Sequence, residues 1–342
     1  MKALLVAGGV ALVVALLGTP LVINELRLRG IGQQVREDGP AGHFSKAGTP
    51  TMGGLAIVGA AVAGYGVAHV SATFTTRALV GMLTVCALAF VGFVDDWLKV
   101  TRQRSLGLNK RAKIAGQVVV ATGFAVAAVV WLKVDTYLSF TRYNSFGLQL
   151  GDVGWVILAV VVIVATTNAV NLTDGLDGLA SGSSAFTFVA FTVIGFVQLK
   201  HFSMYRNPDS LDEAVMAAAM LGACAGFLWW NAAPALIFMG DTGSLGIGAA
   251  IAVLALLENV DLLLPIIGGL YVLEALSVII QVASFRLFGR RVFRMAPVHH
   301  HFELLGWPET TVIVRFWILA GVFTALGLGV FYADFLAHGG LS

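Results

Sequence analysis

A chain of 342 residues in which 58% are hydrophobic and only 12% charged, with a mean hydropathy of +0.87, is too apolar for a water-soluble fold; soluble domains carry about twice that share of charge. The formal net charge of +2 singles out no partner by itself, and no nucleic-acid partner is expected. Cys86 and Cys224 lie in apolar runs without a CxxC neighbour, so they read as small core residues, not as redox or metal groups.

Residues 3–23 form the first apolar run. No A-x-A site follows it and the basic cluster lies after it, so it reads as a first span and not as a cleaved leader. Runs of span length recur at 53–72, 76–94, 112–132, 153–170, 179–199, 213–231, 243–258, 262–285 and 311–336. The expected fold is therefore an all-α integral membrane protein of about ten transmembrane helices, one polytopic domain over 1–342. The eighth run is short, and the ninth contains Pro265 and Glu274; a carboxylate there should face other helices. Gly222 and Gly226 make a GxxxG pair suited to close helix approach. Between the fourth and fifth runs, 133–152 alternates Tyr137, Ser139 and Tyr143 around Asn144-Ser145 and reads as a short hairpin.

With ten spans the connections alternate sides. Fourteen Lys and Arg residues, from Arg27 to Arg294, fall on one side against six on the other, with Arg315 inside the last run. The positive-inside rule makes the richer side cytoplasmic, with loops near 25–52, 95–112, 170–178, 232–244 and 286–310 and both termini outside.

The polar motifs all fall on that cytoplasmic side. The 168–182 stretch, NAVNLTDGLDGLASG, ends a span with Asp174 and Asp177 three residues apart, on one face of a helical turn, among glycines and Asn171. Such a group suits a phosphate- or sugar-bearing ligand, with or without a divalent cation. Residues 36–54 bring Arg36-Glu37-Asp38-Gly39-Pro40, His43, Lys46 and GTPTMGG, which includes Thr51. Asp95 and Asp96 close the third run with Lys99 four residues after Asp95: either an ion pair on one helical face, or adjacent carboxylates that a divalent cation or a shared proton would relieve. Asn231 to Ser244 carries Phe238 and GDTGS, where Asp241 opens a helix whose N-terminus favours anions. His299, His300 and His301 are a phosphate- or sugar-recognising group or, less readily, a zinc site. Lys46, Arg111 and Lys113 are expected to neutralise phosphate. Acids, bases and histidines collected at one interface fit an enzyme for a charged, soluble substrate. A transporter would place its acids near the midplane instead.

Together NAVNLTDGLDGLASG, REDGP…H..K.GTPTMGG, DDxxK, N..PA.IFMGDTGS and PVHHHFE..GW resemble the phospho-N-acetylmuramoyl-pentapeptide transferases, within the polyprenyl-phosphate N-acetylhexosamine-1-phosphate transferase superfamily. The acidic motifs are common to the superfamily; HHHFE and GTPTMGG select the branch. The resemblance implies a multi-pass protein of the bacterial cytoplasmic membrane, often homodimeric. Its reaction would move phospho-MurNAc-pentapeptide from UDP-MurNAc-pentapeptide to undecaprenyl phosphate, giving lipid I and UMP with Mg2+ as cofactor. By motif position it makes Asp241 the magnesium ligand and Asp95 either the group that deprotonates the lipid phosphate or a nucleophile. Asp96, Lys99 and Lys113 would complete the phosphate site. Lys46, Thr51, Asn171, Asp174, Asp177, Asn231 and Phe238 match the nucleotide pocket, with Phe238 able to stack on uracil, and His299 to His301 match the histidine loop. A groove between cytoplasmic helix ends should admit the lipid acceptor. The rival readings are a sister enzyme that transfers GlcNAc-1-phosphate and an ion-coupled transporter.

Overall fold

The computed structural model describes residues 1–32, 46, 48–70, 73–102 and 107–339; Arg36 to Pro40, His43 and Arg104 lie outside the described residues. The described chain is all helix, with no strand. Its elements are α1 (Lys2–Leu28), α2 (Gly54–Ala68), α3 (Thr76–Thr101), α4 (Lys110–Val130), α5 (Gly151–Thr173), α6 (Leu179–Lys200) and the single turn α7 (Phe202–Tyr205). They continue as α8 (Ser210–Asn231), α9 (Gly240–Leu257), α10 (Leu264–Ile267), α11 (Gly269–Phe288), α12 (Val298–Glu303) and α13 (Glu309–Ala337). Side-chain caps set two of the starts. The Thr75 hydroxyl accepts from Ala78 N at 3.4 Å to open α3, and Asn109 Oδ1 accepts from Ala112 N at 2.7 Å to open α4.

Nine of these helices are long and apolar enough to cross a membrane. The second expected span, 53–72, is the exception: α2 has 15 residues, about 22 Å at the α-helical rise. Its start is held by backbone pairing, with Gly53 N donating to Phe238 O and Gly54 N to Met239 O, both at 2.8 Å. The ninth expected span, 262–285, is two helices. Pro265 sits in the first turn of α10, and the Gly268-Gly269 pair bends the chain before α11. The expected hairpin at 133–152 is reduced to one antiparallel bridge, Tyr137 to Gln149.

The architecture is a bundle around α9, whose residues are nearly all buried, with α3, α5 and α2 packed on it. Helices on the outside turn aliphatic side chains outward: Leu5, Leu21, Val119 and Val153 are each 70% exposed or more. A soluble protein does not carry such a belt, and a bilayer removes its cost. The Gly222/Gly226 pair lies against α1, where a Cβ on Gly222 would overlap the Gly8 carbonyl and one on Gly226 the Leu12 carbonyl. Cys224, on the same helix, is buried as expected; Cys86 is half-buried.

The end of the bundle remote from the acid motifs is tied by its own polar contacts. Asp212 on α8 accepts from Tyr65 Oη at 3.0 Å and from Thr75 N at 2.7 Å, and lies 2.7 Å from His69 Nε2. Arg142 reaches Asp334 at 2.8 Å and pins the 133–150 segment to α13. In the turn after α9, burial pushes the Asp261 carboxyl up to about 7, against the hydrogen bonds it shares with Ser139. Because its folded pKa exceeds the unfolded value of about 3.9, its contribution to stability is complete below pH 4 and is lost as the pH rises through 7. Asp261→Asn should flatten that loss, measured as the melting temperature in detergent between pH 5 and 8.

Candidate active site

The N-terminus of α9 is where the distant motifs meet. Gly240 has φ +68°, the left-handed conformation glycine adopts freely, and it turns the chain into α9. The backbone donors exposed there are satisfied from another helix: Asp96 on α3 accepts from Asp241 N at 3.1 Å, Thr242 N at 2.9 Å and Thr242 Oγ1 at 2.7 Å. Asp96 thus acts as the cap of α9, and its carboxylate is turned into the protein.

Asp95, next on the same helix, accepts from Leu108 N at 2.7 Å and pairs with Lys99 Nζ at 2.7 Å. Lys99 Nζ also lies 2.6 Å from Asp241 Oδ2 and 3.5 Å from Asp96 Oδ1. Lys113 Nζ reaches the same Asp241 oxygen at 2.9 Å. On the other side, Asn171 Nδ2 donates to Asp241 Oδ1 at 2.5 Å and to Ser244 Oγ at 2.7 Å. The ion pair expected of DDxxK forms, and it lies inside an acid cluster. Asp95, Asp96 and Asp241 each offer an oxygen within 4.8 Å of the others, and all three are buried. Three carboxylates facing two ammonium groups leave negative charge, and their hard oxygens suit a divalent cation such as magnesium.

Asp174 caps the end of α5 beside this cluster. Burial pushes its carboxyl well above the usual carboxylate range, and the charges of Asp241 and Asp96 act in the same direction. Asp177 does not share that environment: it takes Lys46 Nζ at 2.7 Å and Ala235 N at 2.9 Å. Lys46 also holds Glu309, the first residue of α13, at 2.6 Å, and Glu309 accepts from Asp177 N at 3.1 Å. Burial alone would depress the Lys46 pKa, but the hydrogen bonds and charges of Asp177 and Glu309 outweigh it and hold it above the ordinary lysine value.

The GTPTMGG segment runs beside IFMGD. Phe238 N donates to Pro50 O at 2.8 Å, so Thr51 and Phe238 are brought into adjoining strips of backbone, both half-buried. Gly54 packs against the backbone of Thr242 and Gly243, and a side chain there would displace α9. Asn231 is buried, with Nδ2 donating to Ile237 O and Oδ1 accepting from Ser181 Oγ, both at 2.9 Å. Its amide shapes the 232–238 turn.

The three histidines diverge on the short α12. His299 is fully buried and lies 3.0 Å from Glu274. His300 Nδ1 lies 2.7 Å from Glu303, and His301 Nδ1 accepts from Arg294 N at 3.1 Å. They do not converge on one point, so they make no common metal site. Beside them an apolar groove of about 590 Å³ opens between α11 and α13, lined by Leu273, Ile280, Phe302 and Phe316. Arg315 stands at its edge, stacked on Trp307 at 4.0 Å.

A family model described as glycosyl transferase family 4 matches residues 78–259, and a phospho-N-acetylmuramoyl-pentapeptide-transferase signature matches residues 46–58. The chain is 52% identical to the phospho-N-acetylmuramoyl-pentapeptide-transferase of Frankia casuarinae, over 99% of this chain and 100% of the relative. The proteins of that name from Kineococcus radiotolerans and Streptomyces griseus are 49% and 47% identical, each over 98% of this chain and 99% of the relative. The chain belongs to the phospho-N-acetylmuramoyl-pentapeptide-transferase family.

The family signature covers Lys46, which reaches the Asp177–Glu309 pair, and the glycines that let α2 approach α9. Glu309 went unread in the sequence, although the GWPE run placed an acid at a helix start on the motif-bearing side. The contact of His299 with the 174–178 loop had no signal, because nothing in HHHFE says which histidine turns inward.

Proposed function

We propose that this chain transfers phospho-MurNAc-pentapeptide from UDP-MurNAc-pentapeptide to undecaprenyl phosphate, forming lipid I and UMP at the cytoplasmic face of a bacterial cytoplasmic membrane. The observation that carries this reading is the acid and lysine cluster of Asp95, Asp241, Lys99 and Lys113 at the head of α9. It lies within a chain alike over its whole length to transferases of that name.

Phosphoryl transfer asks mainly for positioning and charge neutralisation. An oxygen of the lipid phosphate attacks the sugar-bearing phosphorus in line. A new P–O bond forms there as the bond to the UMP phosphate breaks, and UMP leaves with the electron pair. Lys99 and Lys113 are placed to offset charge on the phosphates, and Asp95 to orient the attacking phosphate, which is already largely a dianion near neutral pH. Asp241 is the proposed magnesium ligand, with an oxygen of Asp95 within reach. Magnesium, when bound, neutralises diphosphate oxygens and eases departure of UMP.

Lys46, Thr51, Asp174 and Phe238 are assigned to the donor nucleotide, with Asn171, Asp177 and Asn231 shaping that pocket from behind. His300 and His301 are assigned to the donor's phosphate or sugar. The groove between α11 and α13 would receive the polyprenyl chain from the bilayer, and its apolar lining supports that assignment. The charge bias of the connections supports ten crossings with both termini outside. That places the short α2 as a crossing whose N-terminal end stops inside the protein.

The test is UMP release by purified protein in detergent, with both substrates, with and without magnesium. Release that needs the acceptor and stops with EDTA is expected. Turnover of UDP-GlcNAc in place of the muramoyl donor would overturn the substrate assignment.

A further inference from the structure

Glu274 has no accessible surface, and it stands on the inward face of α11 with Tyr271 and Ser277, away from the exposed Leu273, Leu276 and Ile280. Its Oε1 lies 3.0 Å from Nδ1 of His299, which is equally buried, and among the described residues that is its one ion-pair contact. A carboxylate enclosed in a helix bundle is costly unless it is paired, so the pairing has to be accounted for. The opposite edge of the imidazole, at Nε2 and Cε1, abuts Gly175, where a Cβ would overlap the ring. Gly175 follows Asp174 and precedes Asp177, which holds Lys46 and Ala235 N. A continuous line of contacts thus runs from α11 through α12 to the 174–178 loop. His299 has no surface of its own with which to touch a substrate.

From these contacts we infer that Glu274 is a positioning residue for donor binding: its carboxylate fixes the His299 ring, and the ring sets where the 174–178 loop stands. The carboxylate packed against Nδ1 limits rotation of the ring, as a second partner commonly orients an imidazole. Gly175, lacking a side chain, lets the ring act directly on backbone. The inference rests on the assignment of that loop to the donor pocket.

Steady-state UMP release, with each substrate varied in turn, tests it on the full-length protein. Glu274→Leu is expected to raise KM for UDP-MurNAc-pentapeptide about tenfold or more while KM for undecaprenyl phosphate stays within about twofold, since small misplacements of a binding loop have effects of this size. Glu274→Gln, which keeps an acceptor at the same reach, should restore most of the donor affinity. Glu274→Leu combined with His299→Ala should match His299→Ala alone, because the first residue acts through the second. An unchanged donor KM, an equal rise for both substrates, or additive effects in the double variant would overturn the inference. If Glu274→Leu does not give a monodisperse protein, Glu274→Asp takes its place: it withdraws the carboxylate by one methylene, and an unchanged donor KM there overturns the inference equally. Absence of turnover by the unaltered protein would instead overturn the donor assignment itself.

Discussion

Asp241→Ala is expected to lower the rate of UMP release about 10³-fold or more, equivalent to about 4 kcal/mol of transition-state stabilisation. One carboxylate here meets Lys99, Lys113 and Asn171 at distances of 2.5 to 2.9 Å. Its removal takes away the proposed metal ligand and leaves two ammonium groups without their common partner. The fold should survive, because the backbone donors at the head of α9 are held by Asp96 and not by Asp241. Asp241→Asn separates charge from shape: the amide fills the same space but offers a cation only a neutral oxygen. It should lose activity as fully as alanine, with the melting temperature close to that of the unaltered chain. Retention of activity within tenfold by Asp241→Asn would remove the metal-ligand assignment.

Most of the bundle was legible because long apolar runs have few alternatives: nine of the ten expected spans are helices of crossing length, one of them preceded by a separate short turn. The length of α2 was not legible. Its start is set by pairing of Gly53 and Gly54 with Phe238 and Met239, a contact distant in sequence that hydropathy does not encode. The acids were legible as motifs, and their roles came only from the resemblance, not from spacing. Adjacent residues on a helix point about 100° apart, so Asp95 and Asp96 approach the head of α9 from different directions: packing gives Asp96 the backbone donors of α9, and Asp95 the Leu108 N–H and Lys99. The triple histidine spread for the same reason: on a short helix His299 turns inward, while His300 and His301 meet Glu303 and the Arg294 backbone. Asp177 was read beside Asp174 as one ligand group, yet its carboxylate is taken by Lys46 and a backbone N–H. What the sequence offered was chemistry at an interface; which carboxylate pairs with which donor followed from tertiary contacts.

The adjacent aspartates should therefore fail in different ways when replaced. Asp96→Ala removes the acceptor of two backbone N–H groups and the Thr242 hydroxyl, all in a buried site. Loss of a cap costs about 1–2 kcal/mol, and leaving buried donors unpartnered adds about 1–3 kcal/mol. The variant should unfold at markedly lower temperature in detergent and lose activity as α9 and Asp241 shift. Asp96→Asn keeps an acceptor oxygen at a position where asparagine is a good cap, so most of the stability should return. Asp95 holds one backbone N–H, of Leu108, besides Lys99. Asp95→Asn should melt near the unaltered protein while UMP release falls at least about 10²-fold, since the lost charge balances Lys99 and is the one proposed to orient the attacking phosphate. Melting temperature and UMP release measured on the same preparations give both answers. Full stability in Asp96→Ala would break the capping argument. Near-normal turnover in Asp95→Asn would move the orienting role to another group, and Asp174 is the carboxylate already placed beside the cluster.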